Sequence, residues 1–144
     1  MPVHLEPGEI ADTYFLAACS ALSERQDRVR SLFAPMDNFS KLGYLTTNMF
    51  VKGVPKSYVM DDLVMMKSYW DEYIDFPFAP MLPDGAAWMI FAEKAFARLN
   101  GYYYRLEGGK FGEAIRTLSG APTKEFKSGD LNQGLLFQLL LASV

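Results

Sequence analysis

Residues 88–109 read WMIFAEKAFARLNGYYYRLEGG. Trp88, Phe91, Ala92, Ala95 and Leu99 recur at the three- and four-residue spacing that lays apolar side chains along one face of a helix, and predict a helix over residues 86–100. Glu93, Lys94 and Arg98 fall on its polar side. Glu93 and Lys94 are sequence neighbours that do not face each other on a helix, and they read as ordinary surface charges. Gly101 stands at the C′ position, where a helix end favours a left-handed residue. Gly108-Gly109 is a turn; no Lys-Ser or Lys-Thr follows it between a strand and a helix, so it is not a phosphate loop. A second short helix is predicted from Gly112 to Leu118, stopped at Gly120 and barred from continuing by Pro122.

Upstream, EIADTYFLAACSALSERQDRVRSLF (residues 9–33) predicts one long amphipathic helix. Asp12 is its expected N-cap, with a carboxylate that accepts from first-turn amides. Phe15, Cys19, Leu22, Val29 and Phe33 form the apolar face, Glu24, Arg25, Asp27, Arg28 and Arg30 the solvent face, and Ala34-Pro35 the end. From Gly43 the period becomes two: Tyr44, Thr46, Asn48 and Phe50 face one way, Leu45, Thr47, Met49 and Val51 the other. Lys52-Gly53 is a turn, and Val54 to Met60 returns as the second strand of a hairpin that Asp61-Asp62 cap and terminate. Pro55 lacks a donor and so places the start of that strand at a sheet edge. Residues 64–85 carry Pro77, Pro80 and Pro83 among Tyr69, Trp70, Tyr73, Phe76 and Phe78. This segment is either an aromatic-pinned ordered loop, with a short helix from Ser68 to Ile74, or a partner-binding arm. Leu131 to Val144 forms an apolar C-terminal segment, a candidate final helix without a cap signal.

The chain of 144 residues is the size of one domain with a single core. Half of its residues are hydrophobic and 15% are aromatic, which supplies ample material for packing and argues against disorder. A net charge of −3, with no basic run, argues against nucleic acid as a partner. A lone cysteine excludes an internal disulfide and fits a reducing compartment; no basic segment followed by an apolar core opens the chain, and a cytoplasmic location is expected. Without a secretory signal, Asn38-Phe39-Ser40 is a chance glycosylation triplet. The run Leu135 to Val144, broken by Gln138, is about half the length that spans a bilayer, so no membrane anchor is expected.

Taken in order, these features resemble the first half of the papain-like catalytic core of calpains, the intracellular calcium-dependent cysteine proteases. The family opens its central helix with Gly-Asp-Cys-Trp; Ala11-Asp12-Thr13-Tyr14 matches it. Its Val-Asp-Asp strand end matches Val59-Met60-Asp61-Asp62, one residue longer. Trp88 to Gly109 matches the family's Trp-x-x-x-x-Glu-Lys-Ala-Tyr-Ala-Lys-x-Asn-Gly-x-Tyr-x-x-Leu-x-Gly-Gly. Glu113-Ala114 and Leu118-Ser119-Gly120-Ala121-Pro122-Thr123 resemble the variant in calpain-like proteins of flagellated and ciliated protists. The resemblance implies an α+β fold: the helix-rich N-terminal half of the core, with a central helix and a β hairpin, as a single first protease subdomain over residues 1–144.

It also implies that the chemistry is missing. The nucleophile position holds Thr13, an alcohol that stays protonated near neutral pH, where a papain-like protease needs a thiolate. The oxyanion-stabilising glutamine, six residues earlier, is replaced by Pro7, which has no donor and forfeits about 3 kcal/mol of stabilisation. The catalytic histidine and asparagine belong to the family's second subdomain, and the lone His4 does not align with that position. Cys19 cannot replace Thr13, since six residues of helix carry it about 9 Å along the axis and about 240° around it, and it reads as core. The family's calcium-binding glutamate matches Ala86, and the other acidic ligand falls near His4, so calcium is not expected. Tyr102, Tyr103 and Tyr104 read as core or interface rather than a ligand platform. The expectation is a pseudoprotease with no catalytic, cofactor-binding or metal-binding residue, binding other proteins of a flagellar or ciliary assembly, with tubulin or axonemal proteins as partners. The alternatives are half of a protease completed by another chain, and a decoy that regulates an active calpain.

Overall fold

The computed structural model describes residues 8–34, 43–68, 74–127, 129 and 132–142. His4, Pro7, Pro35, Asn38 to Ser40, Tyr69, Trp70, Tyr73 and Leu131 lie outside the described residues. The elements run α1 (Thr13–Ser23), α2 (Gln26–Ser31), β1 (Tyr44–Val51), β2 (Val54–Asp61), β3 (Lys67–Ser68), β4 (Ile74–Asp75), α3 (Trp88–Asn100), a 3-10 turn (Tyr103–Leu106), α4 (Phe111–Ser119) and α5 (Gln133–Ala142). This mixture of helices with an antiparallel hairpin is the α+β architecture that the sequence predicts.

β1 and β2 pair in the register Tyr44↔Asp61 to Val51↔Val54. The two-residue turn between them has φ of 52° at Lys52 and 81° at Gly53, the left-handed pair that matches the twist of a hairpin. Leu45, Thr47 and Met49 alternate inward, as the period of two requires. The outer edge of β1 is covered by the chain leaving α2, through Ala34 N–H to the Thr46 carbonyl (3.0 Å), Asn48 N–H to the Leu32 carbonyl (2.6 Å) and a bridge between Phe33 and Thr47. β2 is the other edge, and side chains of α3 blunt it. Arg98 Nη1 donates to the Val59 carbonyl at 2.5 Å, and Lys94 Nζ to the carbonyls of Asp61 (3.1 Å) and Leu63 (2.7 Å).

The long first helix is two. Glu24 forms a turn and Arg25 is extended (φ −127°, ψ 107°), so α2 starts afresh with Asp27 in its first turn. The break lets residues 32–34 reach β1, whose edge amides an unbroken helix would leave without partners. Of the helix proposed from Ser68 to Ile74 only the two ends are among the described residues, and they pair as β3 and β4, Ser68 opposite Ile74 and Lys67 opposite Asp75. The core lies between α1, α3, α4 and the hairpin, with Phe15, Leu22, Leu32, Met49, Met89 and Leu106 buried in it. Phe15 stacks on Phe96 with ring centres 4.3 Å apart.

α3 buries a broader face than predicted, rotated by about one residue. Met89, Ile90, Ala92, Glu93, Ala95, Phe96 and Ala97 are buried, whereas Trp88, Phe91 and Leu99 are half-buried. The helix touches α1, β1, β2 and the 3-10 turn, so more than one stripe of it is covered. Glu93, expected on the surface, is therefore in the core.

Candidate functional site

The tip of α1 carries the residues to which the sequence assigns, and denies, chemistry. Four contacts hold it. Glu9 N–H donates to the Pro77 carbonyl at 2.8 Å, and Gly8 passes so close to the same segment that a Cβ there would sit 2.5 Å from the Phe78 carbonyl oxygen. Gly108 N–H donates to the Ala11 carbonyl at 3.2 Å, and Gly109 lies flat against the Tyr14 ring, where any side chain would overlap it. The double-glycine turn thus serves as a seat for α1 rather than for a ligand. Thr13 is exposed in the first turn of α1. No histidine occurs among the described residues.

Asp12 occupies the N-cap position, and its carbonyl accepts from Phe15 N–H (2.8 Å) and Leu16 N–H (3.2 Å). Its carboxyl makes no capping hydrogen bond. Instead it turns inward, leaves the residue 1% exposed, and pairs with the carboxyl of Glu93, also 1% exposed. Glu93 Oε2 accepts from Ala79 N–H at 2.6 Å; Asp12 Oδ2 and Glu93 Oε1 find no donor. Burial raises the pKa of both acids. For Glu93 burial and the neighbouring Asp12 charge push it up to about 8, against the pull of the Ala79 amide; for Asp12 the hydrogen bond from Glu93 opposes the rise. Sequence reasoning missed Glu93, although its neighbours three and four residues away on the helix, Met89, Ile90, Phe96 and Ala97, are all apolar. That spacing is the signal that locates it.

Cys19 is wholly buried, and burial, then the charges of Glu93 and Asp12, push its thiol well above the usual range, so it is an inert core residue. Asp61 ends β2 by accepting from Leu63 N–H (3.1 Å) and from Lys94 Nζ (2.5 Å), and these bonds, Lys94's first, hold its carboxyl below the usual range. Tyr103 stacks on Phe78, ring centres 3.9 Å apart, while Tyr102 and Tyr104 are exposed. Tyr103, Phe78 and Ala79 also wall a 240 Å³ cavity with Met65, Phe76 and Ile90. The calcium-site position Ala86 carries no carboxylate, and among the described residues no group of three His, Cys, Asp or Glu is placed to hold a metal. No helix among the described residues is long and apolar enough to cross a membrane.

The hairpin, the helix bearing Thr13 at its tip and the helix bearing Trp88 make up a partial calpain catalytic core. The sequence profile described as calpain family cysteine protease matches residues 1–144, and the chain belongs to that family. Among its relatives are the calpain-type cysteine protease ADL1 of Oryza sativa subsp. japonica, 28% identical over 140 residues, and the calpain-type cysteine proteases DEK1 of Zea mays and Arabidopsis thaliana, 28% and 29% identical. Each alignment covers 93% of this chain and 6% of the relative, so the chain spans a small fraction of the length of these proteins.

Proposed function

We propose that this chain is a non-catalytic calpain-fold module that works by binding other proteins of a larger assembly. The observation that carries this is Thr13. It stands exposed at the tip of the helix where the family motif has its cysteine, its hydroxyl is a poor nucleophile near neutral pH, and the one cysteine is buried in the core. Exposed apolar residues on the loop after β2 (Leu63, Met65, Met66) and on α5 (Phe137, Leu140, Leu141) suit a surface that packs against other polypeptide. The assembly we propose is axonemal, in a flagellum or cilium with the microtubule lattice as partner, and it rests on the likeness of residues 113–114 and 118–123 to calpain-like proteins of flagellated and ciliated protists.

Two measurements test this. The purified chain is expected to pellet with microtubules, or to stay with axonemes after salt extraction; a chain that remains in the supernatant in both assays overturns the axonemal proposal. In a peptide-cleavage assay, with and without calcium, the chain is expected to be inactive. Cleavage that disappears on Thr13→Ala would instead make it part of a protease, completed by groups from another chain.

A further inference from the structure

The buried carboxyls of Asp12 and Glu93 join the segment that leads into α1 to the middle of α3, and among the described residues no cation acts on either of them. The titratable groups that feel the charge of the pair are Tyr14 and Cys19 on α1 and Tyr103 on the 3-10 turn, none of them a cation. Lys94, next to Glu93 on α3, sends its ammonium away to Asp61 and to the Leu63 carbonyl. Two ionised carboxylates at so buried a place would repel each other with little solvent screening, at a cost of several kcal/mol. The two oxygens that find no donor, Asp12 Oδ2 and Glu93 Oε1, are accounted for if one carboxyl is protonated, because a single O–H then serves both acids.

We propose that Asp12 and Glu93 hold one proton between them and that this proton locks the tip of α1 onto α3 and residues 77–79, so that losing it releases the tip. The proton lies between Glu93 Oε1 and Asp12 Oδ2, the two oxygens that find no other donor, while Glu93 Oε2 is anchored to Ala79 N–H. The release has a defined extent. Asp12 is followed directly by Thr13 and preceded by the segment that Glu9 and Gly8 tie to residues 77 and 78, so expelling the Asp12 carboxylate pulls on every contact that seats the tip. The sign follows from linkage. The folded chain keeps a proton that the unfolded chain, with an ordinary glutamate at 4.5, has already given up; the contribution is complete below 4.5 and is lost as pH rises through about 8. The lock makes this calpain-fold surface sensitive to mildly alkaline pH without a histidine.

The test is an infrared titration of the full chain from about pH 5 to about pH 9, paired with hydrogen exchange over residues 9–16 corrected for the intrinsic effect of pH. The expected result is a protonated-carboxyl band at about pH 6 that is gone by about pH 9, with protection of residues 9–16 falling roughly tenfold or more over the same interval. Glu93→Gln, whose amide accepts from Ala79 N–H and donates to Asp12, is expected to lack the band and to keep residues 9–16 protected throughout. No protonated-carboxyl band in the wild-type chain at about pH 6 overturns the proposal, as does protection that is constant across the titration. The wild-type titration decides the matter even if the variant fails to fold.

Discussion

At the scale of single residues, burial decides chemistry more strongly than residue type does. Glu93 is a charged residue by its letter, yet a neutral acid is the form its site favours, because burial and the neighbouring Asp12 charge both disfavour its carboxylate. Thr47 is a second polar residue with no exposed surface, and its hydroxyl has no hydrogen-bond partner. An unsatisfied hydroxyl in a core costs about 1–3 kcal/mol, and valine has nearly the same shape and an equal liking for a strand. Thr47→Val is therefore expected to stabilise the chain by about 1 kcal/mol, read as a higher urea midpoint with an unchanged slope; a lower midpoint would mean that the hydroxyl is satisfied in solution. Asp12 was legible as the residue at the helix start but not as a member of a pair. Capping is a local property of the chain, whereas the partner that draws its carboxyl inward lies 81 positions away, at Glu93.

At the scale of elements, the hairpin was legible almost to the residue, since a period of two, a Lys-Gly turn and a closing aspartate are all short-range signals. Its weak point is Lys52, the one described residue other than glycine at positive φ, where a side chain that dislikes the left-handed region is held by the turn. Asparagine tolerates that region better and makes the favoured Asn-Gly turn, so Lys52→Asn is expected to raise stability by about 0.5 kcal/mol in thermal or urea unfolding. No gain would imply that the lysine contributes a contact of its own. The division of residues 9–33 into α1 and α2 escaped the sequence because Leu22 and Val29 keep helical phase across the break. What breaks the helix is the demand of β1 for backbone partners at residues 32–34, a long-range effect that no window of local sequence contains.

At the scale of the whole molecule, the chain is a partial core with uncovered apolar surface. α5 is apolar apart from its glutamines, and Leu135, Leu136, Phe137, Leu140 and Leu141 are exposed on it. A helix of that composition is normally buried. Exposed apolar residues add little to the stability of the fold and much to association, so Phe137→Glu with Leu141→Glu is expected to lower self-association in sedimentation velocity and leave the free energy of unfolding within about 0.5 kcal/mol of the parent. Unchanged sedimentation, or a markedly lower midpoint, would place these side chains inside a packed core instead. The sequence alone determined the class of the chain and the order of its main elements, through hydrophobic period, turn residues and the motif around Trp88, because those signals act between neighbours. Only the tertiary structure decided which acids are buried, that the paired glycines seat α1 through Tyr14, and that Asp12 and Glu93 meet. Those outcomes depend on which surfaces pack together across the chain, and a one-residue rotation of a helix is enough to exchange a surface charge for a buried one.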